Sequence, residues 1–211
     1  MSTSLSDNNE PVADRNSRAN LKRILNDMIQ QPERRAELGE EIERIFEQEK
    51  AVMVLDMSGF SRTTMRHGIV AFLLMIHQNE RLARPCIEEH GGMLVKAEAD
   101  NLFCLFDTVS GAVDAAQEIT RRLNAANMVL PEDRQIYVAV GIGYGRILNV
   151  ADEDLFGSEV NLASKLGEDV AEMGEILLTP AAGAQMTHVK PECREERISI
   201  SGMDLVYYVV R

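Results

Sequence analysis

Apolar positions are sparse at the start of the chain. Residues 1–15 hold Ser, Asp, Asn and Pro with little that could be buried. Ordering them would cost backbone entropy with no burial to offset it, so they read as a flexible tail. From Asn16 the pattern changes: Leu21, Ile24, Leu25, Met28 and Ile29 recur at three- and four-residue spacing, Pro32 interrupts, and Leu38, Ile42, Ile45 and Phe46 resume the period. That spacing predicts two short amphipathic helices in an N-terminal helical segment, residues 16–49. Their apolar stripes must bury either on the chain's own core or on a second subunit.

Ala51 to Leu55 is apolar throughout and ends at Asp56 and the turn-prone Ser58-Gly59, the mark of a buried strand. Ser61 can cap a long helical segment from Arg62 to His90, in which Ile69, Phe72, Leu73, Ile76 and Leu82 keep the period until Gly91-Gly92 ends it. Met93–Val95 and Leu102–Phe106 flank a polar stretch, Lys96 to Asn101, and predict a hairpin. Val109–Leu123 reads as a helix, Ile136–Ile142 as a strand, Val160–Leu166 as a helix, and Glu175–Leu178 and Leu205–Val210 as strands. The order β, α, β, β, α, β predicts an α/β (α+β) fold. Its ferredoxin-like split βαβ core is a mostly antiparallel sheet with two helices on one face, preceded by the N-terminal helices. Gly141-Ile142-Gly143-Tyr144-Gly145 lacks the GxGxxG spacing of a dinucleotide loop and predicts a strand bend and close packing instead.

Composition narrows the function. The chain has 211 residues, 45% hydrophobic and 27% charged, which suits one folded domain with a short appendage. Twenty-two Lys and Arg against 34 Asp and Glu leave a net charge of -12, which argues against a nucleic-acid binder held by phosphate contacts. A polyanionic substrate would need cations. Cys86, Cys104 and Cys193 have neither zinc-site spacing nor disulfide density, and the histidines at 67, 77, 90 and 188 have no ligand spacing. The 11 Met read as core filler. No run approaches the ~20 apolar residues of a membrane helix, and the polar N-terminus lacks a signal-peptide core, so the expectation is a cytoplasmic protein without membrane or nucleic-acid partners.

In a split βαβ sheet, the end of the first strand and the hairpin after the first helix are neighbours. Asp56 and Asp100 occupy those two places. They are either a turn cap and a hairpin residue or a converging pair of hard oxygen ligands of the kind Mg²⁺ or Mn²⁺ takes when it bridges a nucleotide triphosphate. Met57-Ser58-Gly59-Phe60-Ser61 follows at once and leads into a helix N-terminus, where unpaired N–H groups favour phosphate.

Three blocks carry a family resemblance. Val54-Leu55-Asp56-Met57-Ser58-Gly59-Phe60-Ser61 resembles the first metal motif of the class III nucleotidyl cyclases. Gly92 to Asp100 is similar to their hairpin, in which a purine-contacting Lys precedes the second metal Asp by four positions. Asp154 to Leu166 resembles their third block: a purine-selecting Asp, then Gly, then Val-Asn, then a basic residue. The blocks stand in the family's order and the likeness runs from about Lys50 to the C-terminus, which defines a catalytic domain at 50–211.

The resemblance implies an adenylate-type cyclase that closes ATP to 3′,5′-cyclic AMP and pyrophosphate with two Mg²⁺ or Mn²⁺ ions. Asp56, Asp100 and the Met57 carbonyl would be the metal ligands. Amides of Gly59, Phe60 and Ser61 would hold the terminal phosphates, Asn161 would orient the ribose, and Lys165 would offset charge at the α-phosphate. Lys96 would donate to adenine N1 and Asp154 accept from the exocyclic amine, where guanylate-forming relatives usually carry Glu and a small residue. The family builds each site from two chains, so it implies a homodimer with ATP as partner. This chain departs from the pattern in having Ala99 for Gly, Lys165 for Arg and no Lys in the final hairpin Ile200 to Asp204. Those departures keep open a degenerate domain that binds nucleotide or a protein without turnover, or a cyclase for GTP or a pyrimidine nucleotide. Glu98 could face solvent, pair with Lys96 or approach the metals.

Overall fold

The computed structural model describes residues 15–58, 68–186, 193–200 and 203–210. Most of the expected tail, the phosphate-loop residues Gly59, Phe60 and Ser61, and His67 and His188 lie outside the described residues.

Helix α1, Arg18–Gln30, begins at Ser17, whose hydroxyl accepts the Asn20 N–H. Pro32 opens a short 3₁₀ turn, and α2, Arg35–Phe46, follows. Ile24, Leu38, Ile42, Ile45 and Phe46 then bury against Val150. The α2 stripe thus packs on its own domain, whereas Leu25 and Ile29 of the α1 stripe stay exposed at 43% and 71%.

Strand β1, Glu47–Ser58, starts directly after α2, so the strand expected at Ala51 begins four residues earlier and takes 47–49 from the helical segment. The long helix is described as α3, Ile69–Glu89. Then come β2, Gly92–Glu98, β3, Asn101–Phe106, and α4, Val109–Asn127, which Thr108 caps by accepting the Gly111 N–H. Strand β4, Tyr137–Val150, is followed by β5, Asp154–Phe156, and α5, Ser158–Lys165. A π turn spans Leu166–Val170. The described chain closes with β6, Ile176–Leu178, α6, Pro180–Gln185, β7, Cys193–Ile200, and β8, Met203–Val210. The short β5 and α6, and the polar β7, have too few apolar positions to show a period.

The sheet order is β2-β3-β1-β4-β6-β8-β7, with β5 paired to β4. Every pair is antiparallel except β4 with β6. Strand β1 lies between β3 and β4 and is buried on both faces, which is why it reads as an unbroken apolar run. Ala51, Met53, Leu55 and Met57 pack with α3, α4 and α6, whereas Val52 and Val54 pack with Val160 and Ala163 of α5. Helices α3 and α4 thus share one face, as expected, and α5 covers the other.

The glycine run explains how α5 fits. Strand β4 passes straight through it. A Cβ on Gly141 would fall 2.0 Å from the Ala163 carbonyl oxygen, and one on Gly143 would fall 2.7 Å from that of Glu159. Backbone meets backbone there, and no side chain can intervene. Among the described residues, no helix is long and apolar enough to cross a membrane.

Candidate active site

Antiparallel register brings the two aspartates together. The last β1–β3 pair is Leu55↔Leu102, so Asp56 lies one step beyond it, opposite the start of β3. The β2–β3 hairpin closes at Glu98↔Asn101, which leaves Ala99 and Asp100 as its turn. Alternation along β1 puts Asp56 on the face of Val52 and Val54, beneath α5.

The electrostatics follow from that crowding. Burial, then the charges of Asp100 and Glu168, push the Asp56 carboxyl up to about 6, against a hydrogen bond from the Met57 N–H. Glu168, on the π turn after α5, is raised too, by burial first and then by Asp169, Asp100 and Glu98, with Lys165 opposing. Its Oε1 accepts from Asn101 Nδ2 at 3.0 Å, and Asn101 Oδ1 is buried with no hydrogen-bond partner among the described residues. Uncompensated carboxylates beside an orphaned amide oxygen are hard donors short of a cation, and Asp56 and Asp100 fit Mg²⁺ or Mn²⁺ on that ground. No group of three or more His, Cys, Asp or Glu among the described residues could hold a metal by itself.

Lys96 and Asp154 form a second centre. Lys96 Nζ lies 2.9 Å from Asp154 Oδ1 and 3.0 Å from Glu98 Oε2, and 4.6 Å from the centroid of the Phe103 ring. Glu98 pairs with Lys96 while its side chain stays 69% exposed, so two of its three fates are met together. Asp154 Oδ1 also accepts the Leu155 N–H at 3.0 Å. Partial burial works to raise the Asp154 carboxyl, but Lys96, the Leu155 amide and Arg18 outweigh it and hold the group below its ordinary value. Burial likewise opposes the Lys96 charge, and Asp154 and Glu98 overcome it, so the ammonium titrates above its usual range.

Asn161 is exposed near the start of α5. Lys165, at the end of the same helix, pairs with Asp169 at 2.8 Å. Met57 turns its side chain into the core, 2% exposed. No hydrogen bond or ion pair among the described residues joins the Lys96–Asp154 pair to Asp56 or Asp100. Sequence reasoning missed Glu168 and Asn101. The acidic step Glu168-Asp169, just past Lys165, was the available signal for the first.

The chain is similar to known proteins in sequence and in fold. A family model described as the adenylate and guanylate cyclase catalytic domain matches residues 45–211. A Rhizobium meliloti protein named "Putative adenylate cyclase 3" is 32% identical over 129 residues, 61% of this chain and 22% of that protein. The Streptomyces coelicolor protein named adenylate cyclase is 26% identical over 148 residues, 70% of this chain and 37% of its own length. The chain thus spans well under half of these curated relatives. Among solved structures, the adenylate/guanylate cyclase/hydrolase from Silicibacter pomeroyi superposes with a TM-score of 0.64 at 26% identity, covering 78% of this chain and 98% of that one. The catalytic core of a rhodopsin-guanylyl cyclase with converted specificity, in complex with ATPαS, gives 0.67 at 17% identity over 78% and 97%, a likeness of fold. A family model matched over residues 45–211, on a sheet that superposes on a cyclase structure at 26% identity, shows the family: the chain belongs to the adenylate and guanylate cyclase catalytic domains.

Proposed function

We propose that the protein is an adenylate cyclase, acting on ATP at sites shared between two copies of the chain. The observation that carries the choice of base is the Lys96–Asp154 pair, which sets a cationic donor beside an anionic acceptor at 2.9 Å. Adenine offers an acceptor at N1 and a donor at its exocyclic amine, and these match Lys96 and Asp154 respectively. Guanine reverses both positions and would meet donor with donor and acceptor with acceptor.

On this reading the two side chains let go of each other and take the base. Asn161 holds the ribose. The amides of Gly59, Phe60 and Ser61 hold the terminal phosphates, and the Lys165 ammonium leaves Asp169 to meet charge gathering at the α-phosphate. Asp56, Asp100 and the Met57 carbonyl would hold two Mg²⁺ or Mn²⁺ ions, which would supply acidification of the 3′ hydroxyl and neutralisation of the leaving group. The bond from the ribose 3′ oxygen to the α-phosphorus forms, the bond to pyrophosphate breaks, and the hydroxyl proton passes to solvent.

The test is incubation with ATP and Mn²⁺, with GTP, CTP and UTP in parallel, followed by chromatography for the cyclic product. Cyclic AMP as the main product, lost in Asp56→Ala, is expected. Absence of any product at high enzyme concentration would reject catalysis. A second reading, nucleotide binding without turnover, is favoured by one observation: the Asp169 carboxylate already neutralises Lys165. Tight ATP binding without product would select it.

A further inference from the structure

The N-terminal segment reaches the base-recognition pair through a strained turn. Between β4 and β5 the backbone reverses with two consecutive residues in the left-handed region, Ala151 at φ 57 and Asp152 at φ 53. The Glu153 N–H closes the turn on the Val150 carbonyl at 3.0 Å. Hairpins ordinarily give this conformation to Asn-Gly or Gly-Gly, because a Cβ is penalised there. Such backbone persists only where its surroundings over-determine it.

Those surroundings come from the far end of the sequence. Asn16 Oδ1 accepts the Ala151 N–H at 2.8 Å, and Asn16 Nδ2 donates to the Asn149 carbonyl at 3.1 Å. Arg18 Nη2 donates to the Glu153 carbonyl at 3.2 Å, and its Nε lies 3.0 Å from Glu153 Oε2. From within the turn, Asn149 Nδ2 donates to Asp152 Oδ1 at 2.6 Å. Asp154 follows the turn directly. Arg18 Nη2 lies 3.9 Å from its Oδ2, while Oδ1 holds Lys96. The Arg18 side chain is 55% exposed, so its ion pairs count for little in water, and the weight falls on the bonds to turn backbone. Asn16 and Arg18 are held in turn by the Ser17 cap and by Ile24, which is fully buried in the cluster that contains Val150.

We propose that Asn16 and Arg18 are positioning residues for base recognition: they clamp the Ala151–Asp152 turn so that Asp154 and Lys96 present acceptor and donor at fixed places. The inference rests on reading that pair as the purine contact. An acceptor free to wander would still bind a nucleotide through its phosphates and ribose, but it would lose its grip on adenine and its discrimination against guanine.

The experiment uses the full chain with Mn²⁺ and compares wild type, Asn16→Ala/Arg18→Ala, the same pair with Ala151→Gly added, and Arg23→Ala as a control on the same helix. KM and kcat are measured for ATP and GTP, and amide hydrogen exchange is followed at residues 151–155. The double variant is expected to raise KM for ATP about tenfold and cut the ATP-over-GTP preference similarly, with kcat within about twofold. Its 151–155 amides lose protection while α1 keeps its own. Ala151→Gly removes the Cβ penalty and restores both readouts, which a merely structural role of the N-terminal segment would not allow. Should the double variant fail to fold, Arg18→Gln alone carries the same readouts. KM and base preference at wild-type values, or a defect that Ala151→Gly leaves untouched, would overturn the clamp. A wild-type protein that makes no cyclic AMP overturns the cyclase reading and this inference together, whereas active wild type with an unaffected double variant overturns this inference alone.

Discussion

Asp56 shows what one half-buried carboxylate costs the folded chain. Its carboxyl titrates at about 6 in the folded chain, against about 3.9 in an unfolded one. The folded state holds that proton more tightly, so the group's contribution is fully present below pH 3.9 and is lost as pH rises through 6. Above that, metal-free protein carries a half-buried anion facing Asp100 and Glu168. Asp56→Asn is therefore expected to stabilise metal-free protein by about 1–2 kcal/mol at pH 8, after discounting for solvent screening, with the difference vanishing near pH 4. Urea unfolding of both proteins across that range checks the sign. Adding Mn²⁺ at pH 8 should raise the melting temperature of wild type and leave Asp56→Asn nearly unmoved. Next door, Ala99 stands where the resembling family has Gly, with φ 52 at the first position of the hairpin turn. Ala99→Gly is expected to stabilise by about 0.5–1 kcal/mol, because the relief of left-handed strain exceeds glycine's added chain entropy. An unchanged denaturation midpoint would refute that account of the turn.

At the scale of elements, the contact of α5 with β4 decides where the site chemistry sits. Gly141 and Gly143 let the helix backbone touch the strand, and this carries the following π turn, with Glu168, toward Asp56 and Asp100. Gly141→Ala would drive a Cβ into the Ala163 carbonyl oxygen and the Gly167 nitrogen, at 2.0 and 2.7 Å. Neither atom can yield without moving an element, so the expected cost is about 3 kcal/mol. Gly39, inside α2, has nothing within 4 Å of its would-be Cβ. Gly39→Ala should therefore stabilise by about 0.5–1 kcal/mol. Opposite signs for the same substitution, read from paired denaturation curves, separate close packing from helix propensity.

Over the whole molecule, the described residues hold two chemical centres that no hydrogen bond or ion pair connects: the carboxylates around Asp56 and the Lys96–Asp154 pair. If a second copy completes each site, inactive variants must complement. Mixing Asp56→Ala with Asn161→Ala should restore about a quarter of wild-type activity, since half of randomly paired dimers are mixed and each has one intact site. No recovery after co-refolding would mean that each chain builds its own site. The chain's net charge of -12 makes the same point about cations, because a polyanionic nucleotide approaching this surface needs divalent ions to come near.

The sequence by itself determined the periodic elements and the motif residues. The β1 run, the hairpin around Lys96 to Asn101 and the positions of Asp56 and Asp100 were legible because they depend on neighbours a few residues apart and on one antiparallel register. Tertiary structure alone decided what those residues meet. Glu168 reaches the carboxylates only because α5 ends in a π turn above β4. The helices cover both sheet faces because glycines on β4 admit α5. The contacts of Asn16 and Arg18 with the turn before Asp154 bridge sequence separations of 133 and 135 residues. Burial writes a period into the chain because every turn of a helix or step of a strand repeats it, whereas one polar contact between distant segments leaves no repeating mark and exists only once the fold has brought the segments together.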